Sequence, residues 1–185
     1  MNKETYDNIR ETIMKVEGHN AITLLSGLFV FMTAAFYFIV GFLVFFLDGK
    51  KIQFDASELD IKKINYILVP FLGFIIVSII RKKINAPRPY EVYDITPMYR
   101  KYIDPNKRKK GQSFPSRHVF SAFAIGMAVF SYYPRLGIYV LIFGLWIAFF
   151  RVIMGVHFPK DVIAGAISGT VLGLIGNILL PMLIK

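Results

Sequence analysis

Ala21–Leu47 reads AITLLSGLFVFMTAAFYFIVGFLVFFL, 27 residues without a charge. An α-helix rises about 1.5 Å per residue, so about 20 apolar residues cross the roughly 30 Å hydrocarbon layer of a bilayer. This run is long enough to cross it with tilt. Asp48-Gly49-Lys50-Lys51 ends it and opens a polar loop over 48–63. Four more apolar runs follow. The second spans Ile64–Ile80 and closes on Arg81-Lys82-Lys83. The third spans Ser116–Tyr133, before a turn at Pro134-Arg135. The fourth spans Leu136–Gly155 and the fifth Val162–Ile184, with Pro159 where a first helical turn accepts proline. The pattern predicts an all-α, polytopic transmembrane helix bundle of about five spans, with room for a sixth in the N-terminal half. Residues 21–185 form one transmembrane domain and 1–20 an extramembrane amphipathic segment. In the latter, Tyr6, Ile9, Ile13 and Met14 fall near one face of a helix over 3–17, which reads as an interfacial anchor.

Composition agrees with a membrane protein. Of 185 residues 55% are hydrophobic and 16% aromatic, and 18 are Phe. The absence of Cys excludes disulfides and Cys-ligated metal. A formal charge of +10 suits nucleic acid in a soluble domain. Beside apolar spans it suits anionic lipid headgroups, so no nucleic-acid partner is expected. Residues 1–18 are mostly polar and do not read as a signal peptide. The longest polar stretch, Ile84–Phe114, holds four of the nine prolines and the cluster Lys107-Arg108-Lys109-Lys110. It is expected to be an extramembrane connection with some short helix.

Ionisable residues beside membrane spans are costly and are functional candidates by default. Arg81 and Arg88 follow span two. Ser116, Arg117 and His118 begin span three. Arg151, His157 and Asp161 lie between spans four and five. Spans alternate in direction, so the end of span two, the start of span three and the turn between spans four and five share one membrane face. Four Arg, two His, one Asp and one Ser therefore converge. Guanidinium forks match phosphate oxygens. The start of span three offers free N–H groups and a positive dipole end. Two His permit a nucleophile and a general acid. Asp161, four residues after His157, can hold one ring nitrogen and leave the other free. One carboxylate at the centre is too few for a two-metal site, so no metal and no cofactor are expected. Each residue has an ordinary reading: an interfacial His, snorkelling Arg, a helix-capping Asp. Together on one face they point to phosphate chemistry.

These residues resemble the type 2 phosphatidic acid phosphatase superfamily, which includes vanadium-dependent haloperoxidases. Its motifs are K-x6-R-P, P-S-G-H and S-R-x5-H-x3-D. Here the first reads Arg81, six residues, Arg88-Pro89; the second reads Pro115-Ser116-Arg117-His118. The third reads Phe150-Arg151, five residues, His157, three residues, Asp161. The resemblance covers 81–161 by motif. It implies that His157 attacks phosphorus, Asp161 orients it and His118 protonates the leaving oxygen. Arg81, Arg88, Ser116, Arg117 and Arg151 would hold the phosphate. Three positions depart from the pattern: Arg81 for Lys, with Lys82 or Lys83 as alternatives, Arg117 for Gly, and Phe150 for Ser.

The resemblance implies a lipid phosphate or diphosphate substrate in a bacterial plasma membrane. Undecaprenyl pyrophosphate, phosphatidylglycerophosphate and phosphatidic acid are candidates. Arg117 and the 107–110 cluster lean towards the polyprenyl diphosphate. The 81–114 connection alone carries ten Lys or Arg. The positive-inside rule then favours the cytoplasmic face, whereas bacterial relatives mostly face outward, so the face is left open. Rival readings are an anion transporter, a non-catalytic membrane scaffold, and a vanadate-dependent oxidase.

Overall fold

The computed structural model describes residues 2–14, 18–48, 51–52, 61–99, 102–179 and 182. The apolar runs fold as helices because inside a bilayer only a helix satisfies every backbone polar group within one segment. Helix α1 is Lys3–Met14 and α2 is Gly18–Phe46. Leu47–Asp48 (β1) pairs antiparallel with Lys51–Ile52 (β2) where the chain turns back. Residues 49–50 and 53–60, most of the expected polar loop, lie outside the described residues. Helix α3, Ile61–Ile84, runs three residues earlier and four later than the apolar run suggested. A short α4 (Pro89–Val92) and a 3-10 turn (Pro105–Lys107) punctuate the connection. Then come α5 (Arg117–Phe130), α6 (Pro134–Ile153) and α7 (Pro159–Leu174). A π-helical stretch, Ile175–Leu179, continues α7; the Asn65 side chain of α3 donates to its Gly176 carbonyl at 2.7 Å. The expected end of span five at Ile184 lies outside the described residues.

Four helices are long and apolar enough to cross a membrane: α2, α3, α6 and α7 with its π-helical stretch. Their outward faces carry Phe31, Phe38, Phe71 and Ile167, each more than half exposed, as a lipid-facing surface requires. The expected third span, Ser116–Tyr133, is shorter than its apolar run. As α5 it has 14 residues, about 21 Å. It packs against α2, α3, α6 and α7, and Val119, Ala122, Ala124, Ala128 and Val129 are all but fully buried. A helix surrounded by protein need not match the bilayer thickness. The chain is thus a multi-pass membrane protein with α5 as its central helix.

Small residues set how closely α7 approaches α5. Gly165, Gly169 and Gly173 repeat every four residues along one face of α7. A Cβ built at Gly165 falls 2.6 Å from the Ser116 carbonyl oxygen, and one at Gly169 falls 2.4 Å from that of Phe120. Transmembrane helices associate through such small-residue stripes, since lipid gives them no hydrophobic drive to pair.

Helix α1 meets protein through its apolar face. Tyr6 is 3% exposed and packs with Tyr90, Ile95, Met98, Met154 and Val156. Its hydroxyl donates to the His157 carbonyl at 3.3 Å. Residues 15–17 and the side chains of Ile13 and Met14, expected on that face, lie outside the described residues. Thr23, at the start of α2, donates to the Met98 carbonyl at 3.4 Å. The N-terminal segment therefore sits at the end of the bundle that carries Arg81, His118 and His157, as the alternation of spans requires.

Candidate active site

The site is built where α3 ends, α5 begins and α6 turns into α7. Arg81 stands in the last turn of α3 and is buried, while Lys82 and Lys83 are exposed. Of the three candidate cations, Arg81 is the one turned into the protein. Its guanidinium donates to the Pro115 carbonyl at 3.1 Å and to that of Gln112. Arg88 donates to the carbonyls of Gly111 at 3.0 Å, Val156 at 3.1 Å and Gln112 at 3.4 Å. The two arginines thus clamp the 111–115 loop. Glu91 ties it further, accepting from the backbone N–H groups of Gly111 and Arg88. Pro89 opens α4, and backbone bonds from Val156 and His157 to the Arg151 carbonyl fold the α6–α7 turn back on itself.

His157 lies on that turn and is 2% exposed. Its Nδ1 is 3.6 Å from Asp161 Oδ2 and 3.4 Å from Ser113 Oγ. The Ser113 hydroxyl donates to Asp161 Oδ2 at 2.5 Å, and the Phe158 N–H donates to the same oxygen at 2.9 Å. Asp161 is fully buried at the start of α7, and its own carbonyl accepts from the Ser116 N–H at 2.8 Å. That last bond joins the start of α5 to the start of α7. Burial lowers the His157 pKa to about 4; the charges of Arg88 and Arg81 act in the same direction, against the Asp161 hydrogen bond and charge. The imidazole is therefore neutral near pH 7, as a nucleophile must be.

A cavity of about 300 Å³ collects Arg81, Arg88, Arg117, His118, Arg151 and His157, together with Tyr99, Tyr102, Lys109 and Val156. Six of the eight residues expected from sequence line it. Asp161 stands behind His157, as an orienting group should. Ser116, expected to hold phosphate directly, is not on the wall: its side chain is fully buried and its hydroxyl has no hydrogen-bond partner among the described residues. Its backbone links the two helices instead. Sequence reading missed Ser113, Tyr99 and Tyr102. Ser113 had a signal, as a second hydroxyl three residues ahead of Ser116 in the loop entering α5. Tyr99 and Tyr102 had none; their rings lie 5.3 Å from the Arg151 and 5.9 Å from the Arg88 guanidinium carbon. Phe150, in place of the motif serine, is buried beside Met154 and Val156 and adds no polar group. Among the described residues no three His, Asp or Glu side chains gather where they would hold a metal. The wall carries five cationic side chains and no carboxylate, so it is shaped for a multiply charged anion.

Comparison with known proteins supplies an independent line. The sequence model of the PAP2 superfamily matches residues 62–184. A bacitracin transport permease protein, BcrC, of Bacillus licheniformis is 22% identical over 157 residues, 84% of this chain and 75% of that one. Undecaprenyl-diphosphatase BcrC of Bacillus subtilis (strain 168) is 26% identical over 166 residues, 89% of this chain and 79% of that one. The crystal structure of Aquifex aeolicus LpxE superposes with a TM-score of 0.59 at 22% identity, covering 87% of this chain and 93% of that one.

Proposed function

Because the chain belongs to the PAP2 superfamily, we propose that it is a metal-independent membrane lipid phosphatase working through a phosphohistidine on His157. One observation carries this reading. A buried neutral imidazole, with Nδ1 turned to Asp161 and Ser113, lines a cavity walled by four arginines.

The steps follow from that geometry. The arginine forks bind the phosphate oxygens of the substrate and stabilise the charge that builds on them in the transition state. Nε2 of His157 attacks phosphorus while Asp161 holds Nδ1–H. His118, open to the cavity, protonates the leaving oxygen. It then takes a proton from the water that cleaves the N–P bond. The guanidiniums already supply positive charge where a metal ion would otherwise be needed, and their repulsion opposes a cation in the same cavity. The name of the Bacillus subtilis relative and the apolar surround favour a polyprenyl diphosphate, with phosphatidylglycerophosphate and phosphatidic acid as the alternatives to be ranked. The transporter and scaffold readings leave the His157–Asp161–Ser113 arrangement without a task, and the vanadate-oxidase reading is separated by its requirement for vanadate.

The test is direct trapping. Detergent-purified protein is mixed with each lipid, carrying ³²P at its terminal phosphate, in EDTA, and quenched in alkali. Label should appear on the protein, survive alkali and be lost in acid, as a phosphoramidate is. Turnover without a labelled protein, or turnover abolished by EDTA, would remove the mechanism. Vanadate should inhibit; a requirement for it would favour the oxidase.

The pH behaviour of His157 is a separate expectation. With a pKa near 4 against about 6.5 for a free imidazole, the ring stays neutral through the window between those values. Carbon-13 NMR of histidine-labelled protein, with His19→Gln and His118→Gln for assignment, should show His157 uncharged at pH 5.5. A midpoint near 6.5 would contradict the burial argument. The sign of the linkage also follows. The unfolded chain binds the extra proton in this window, so His157 lowers stability as pH falls from about 6.5 towards 4.

A further inference from the structure

A second cavity of about 200 Å³ opens into the bundle from the same place. Val30, Ala34, Phe74 and Ile147 line it, and it shares Arg117 and His118 with the arginine-walled cavity. On α2 its lining residues are 30, 33 and 34. Residues 37, 38, 41, 42, 45 and 46 of the same helix line a third, larger cavity of about 670 Å³ against Tyr66 and Ile67 of α3. The two apolar cavities share no lining residue. The one beside His118 is therefore the apolar space that adjoins the arginine-walled cavity, suited to the start of a lipid tail.

Chemistry and geometry then fix what lies in between. The transferred phosphoryl group sits at His157 and the start of the tail in the apolar cavity beside Val30 and Phe74. Whatever joins them must pass His118 and Arg117, the two residues common to both cavities. In a monoester that link is a single oxygen. In a diphosphate it is a whole charged phosphate. Arg117 is a strong cation to place beside one bridging oxygen. Its guanidinium lies 4.8 Å over the Phe74 ring and 3.4 Å from Ser78 Oγ. Among the described residues no carboxylate comes within ion-pair distance of it.

We infer that Arg117 binds the leaving phosphate of a lipid diphosphate, and that this chain hydrolyses lipid diphosphates in preference to lipid monophosphates. The inference rests on the phosphohistidine reading above. His157 Nε2 bonds to the terminal phosphorus, and the bond from that phosphorus to the bridging oxygen breaks. The electron pair stays on that oxygen, which becomes a terminal oxygen of the lipid monophosphate. It takes the His118 proton while Arg117 holds the other oxygens. Water then attacks the phosphorus on His157, and the N–P electron pair returns to the ring. The proton of that water goes to His118, and inorganic phosphate leaves.

The experiment compares farnesyl diphosphate with farnesyl monophosphate, one tail with two headgroups, in the same detergent. The native chain, Arg117→Gly, Arg117→Gln, Arg117→Lys and His157→Ala are each measured. The native kcat/KM should favour the diphosphate. The ratio of the two kcat/KM values should fall about tenfold or more in Arg117→Gly and Arg117→Gln, the loss of a charge-assisted contact, and recover in part in Arg117→Lys. A native preference for the monophosphate, or an unchanged ratio in active Arg117 variants, would overturn the inference. If Arg117→Gly does not fold, Arg117→Gln and Arg117→Lys carry the same comparison. Phosphate release that survives His157→Ala would instead sink the underlying mechanism, whatever the ratio does.

Discussion

Replacing His157 by Ala is expected to abolish phosphate release, a fall in kcat on the order of 10⁴-fold or more, as when a covalent nucleophile is removed elsewhere. No neighbour can take its place. His118 lies at the junction with the apolar cavity, where it is the proposed general acid. The Ser113 hydroxyl is committed to Asp161 at 2.5 Å. The guanidiniums that line the cavity remain, so orthophosphate or vanadate should still bind the variant, measured by calorimetry in detergent. Turnover above about 1% of native would show that another group attacks. Asp161→Asn gives the graded companion. It keeps the shape but offers an amide to Nδ1, so the ring can settle in the wrong tautomer, and a loss of about 10³-fold is expected. Ser113→Ala removes a bond to the orienting carboxylate and a 3.4 Å contact to His157 Nδ1, and should cost about tenfold.

The convergence of these side chains was legible in the sequence because membrane spans constrain geometry so strongly. Once Arg81, His118 and His157 were placed at span ends, alternation of direction left them one face to share. Pro159 opens α7 as expected, whereas Pro134-Arg135, expected as a turn, forms the first residues of α6. What stayed hidden depended on the path of the 85–116 connection. Its prolines and charges mark it as non-spanning but say nothing of how it folds. Tyr99 and Tyr102 reach the cavity wall only because Met98 bonds to Met154 and Arg88 clamps Gly111 and Gln112. Tyr6 was readable as part of an apolar face. That the face meets Met154 and Val156 rather than lipid is a tertiary fact. Apolar length also overstated α5, since hydropathy cannot distinguish a residue buried in lipid from one buried in protein.

The glycine stripe of α7 leads to the second large effect. Gly169→Val is expected to destabilise the protein by about 3 kcal/mol or more, the upper range for overpacking, and to inactivate what remains folded. A Cβ at 169 would lie 2.4 Å from the Phe120 carbonyl oxygen, 3.1 Å from Phe123 Cβ and 3.2 Å from the Ala124 N–H. Two of those three atoms are backbone, so no rotamer change relieves the contact and α5 must move away from α7. His118 rides on α5, Asp161 on α7, and the Ser116–Asp161 backbone bond joins the two starts. A separation near 1 Å would misplace the general acid against the nucleophile, a shift that can cost about 10²-fold in rate. Thermal unfolding in detergent and kcat should therefore fall together. Gly27→Ala is the control, because a Cβ there meets nothing within 4 Å; it should unfold at or above the native temperature and keep its rate. If Gly169→Val matched Gly27→Ala, close approach of α5 and α7 would not be what holds the two histidines in register. Loss of both properties in the first variant alone would place the source of the site's precision in three residues without side chains.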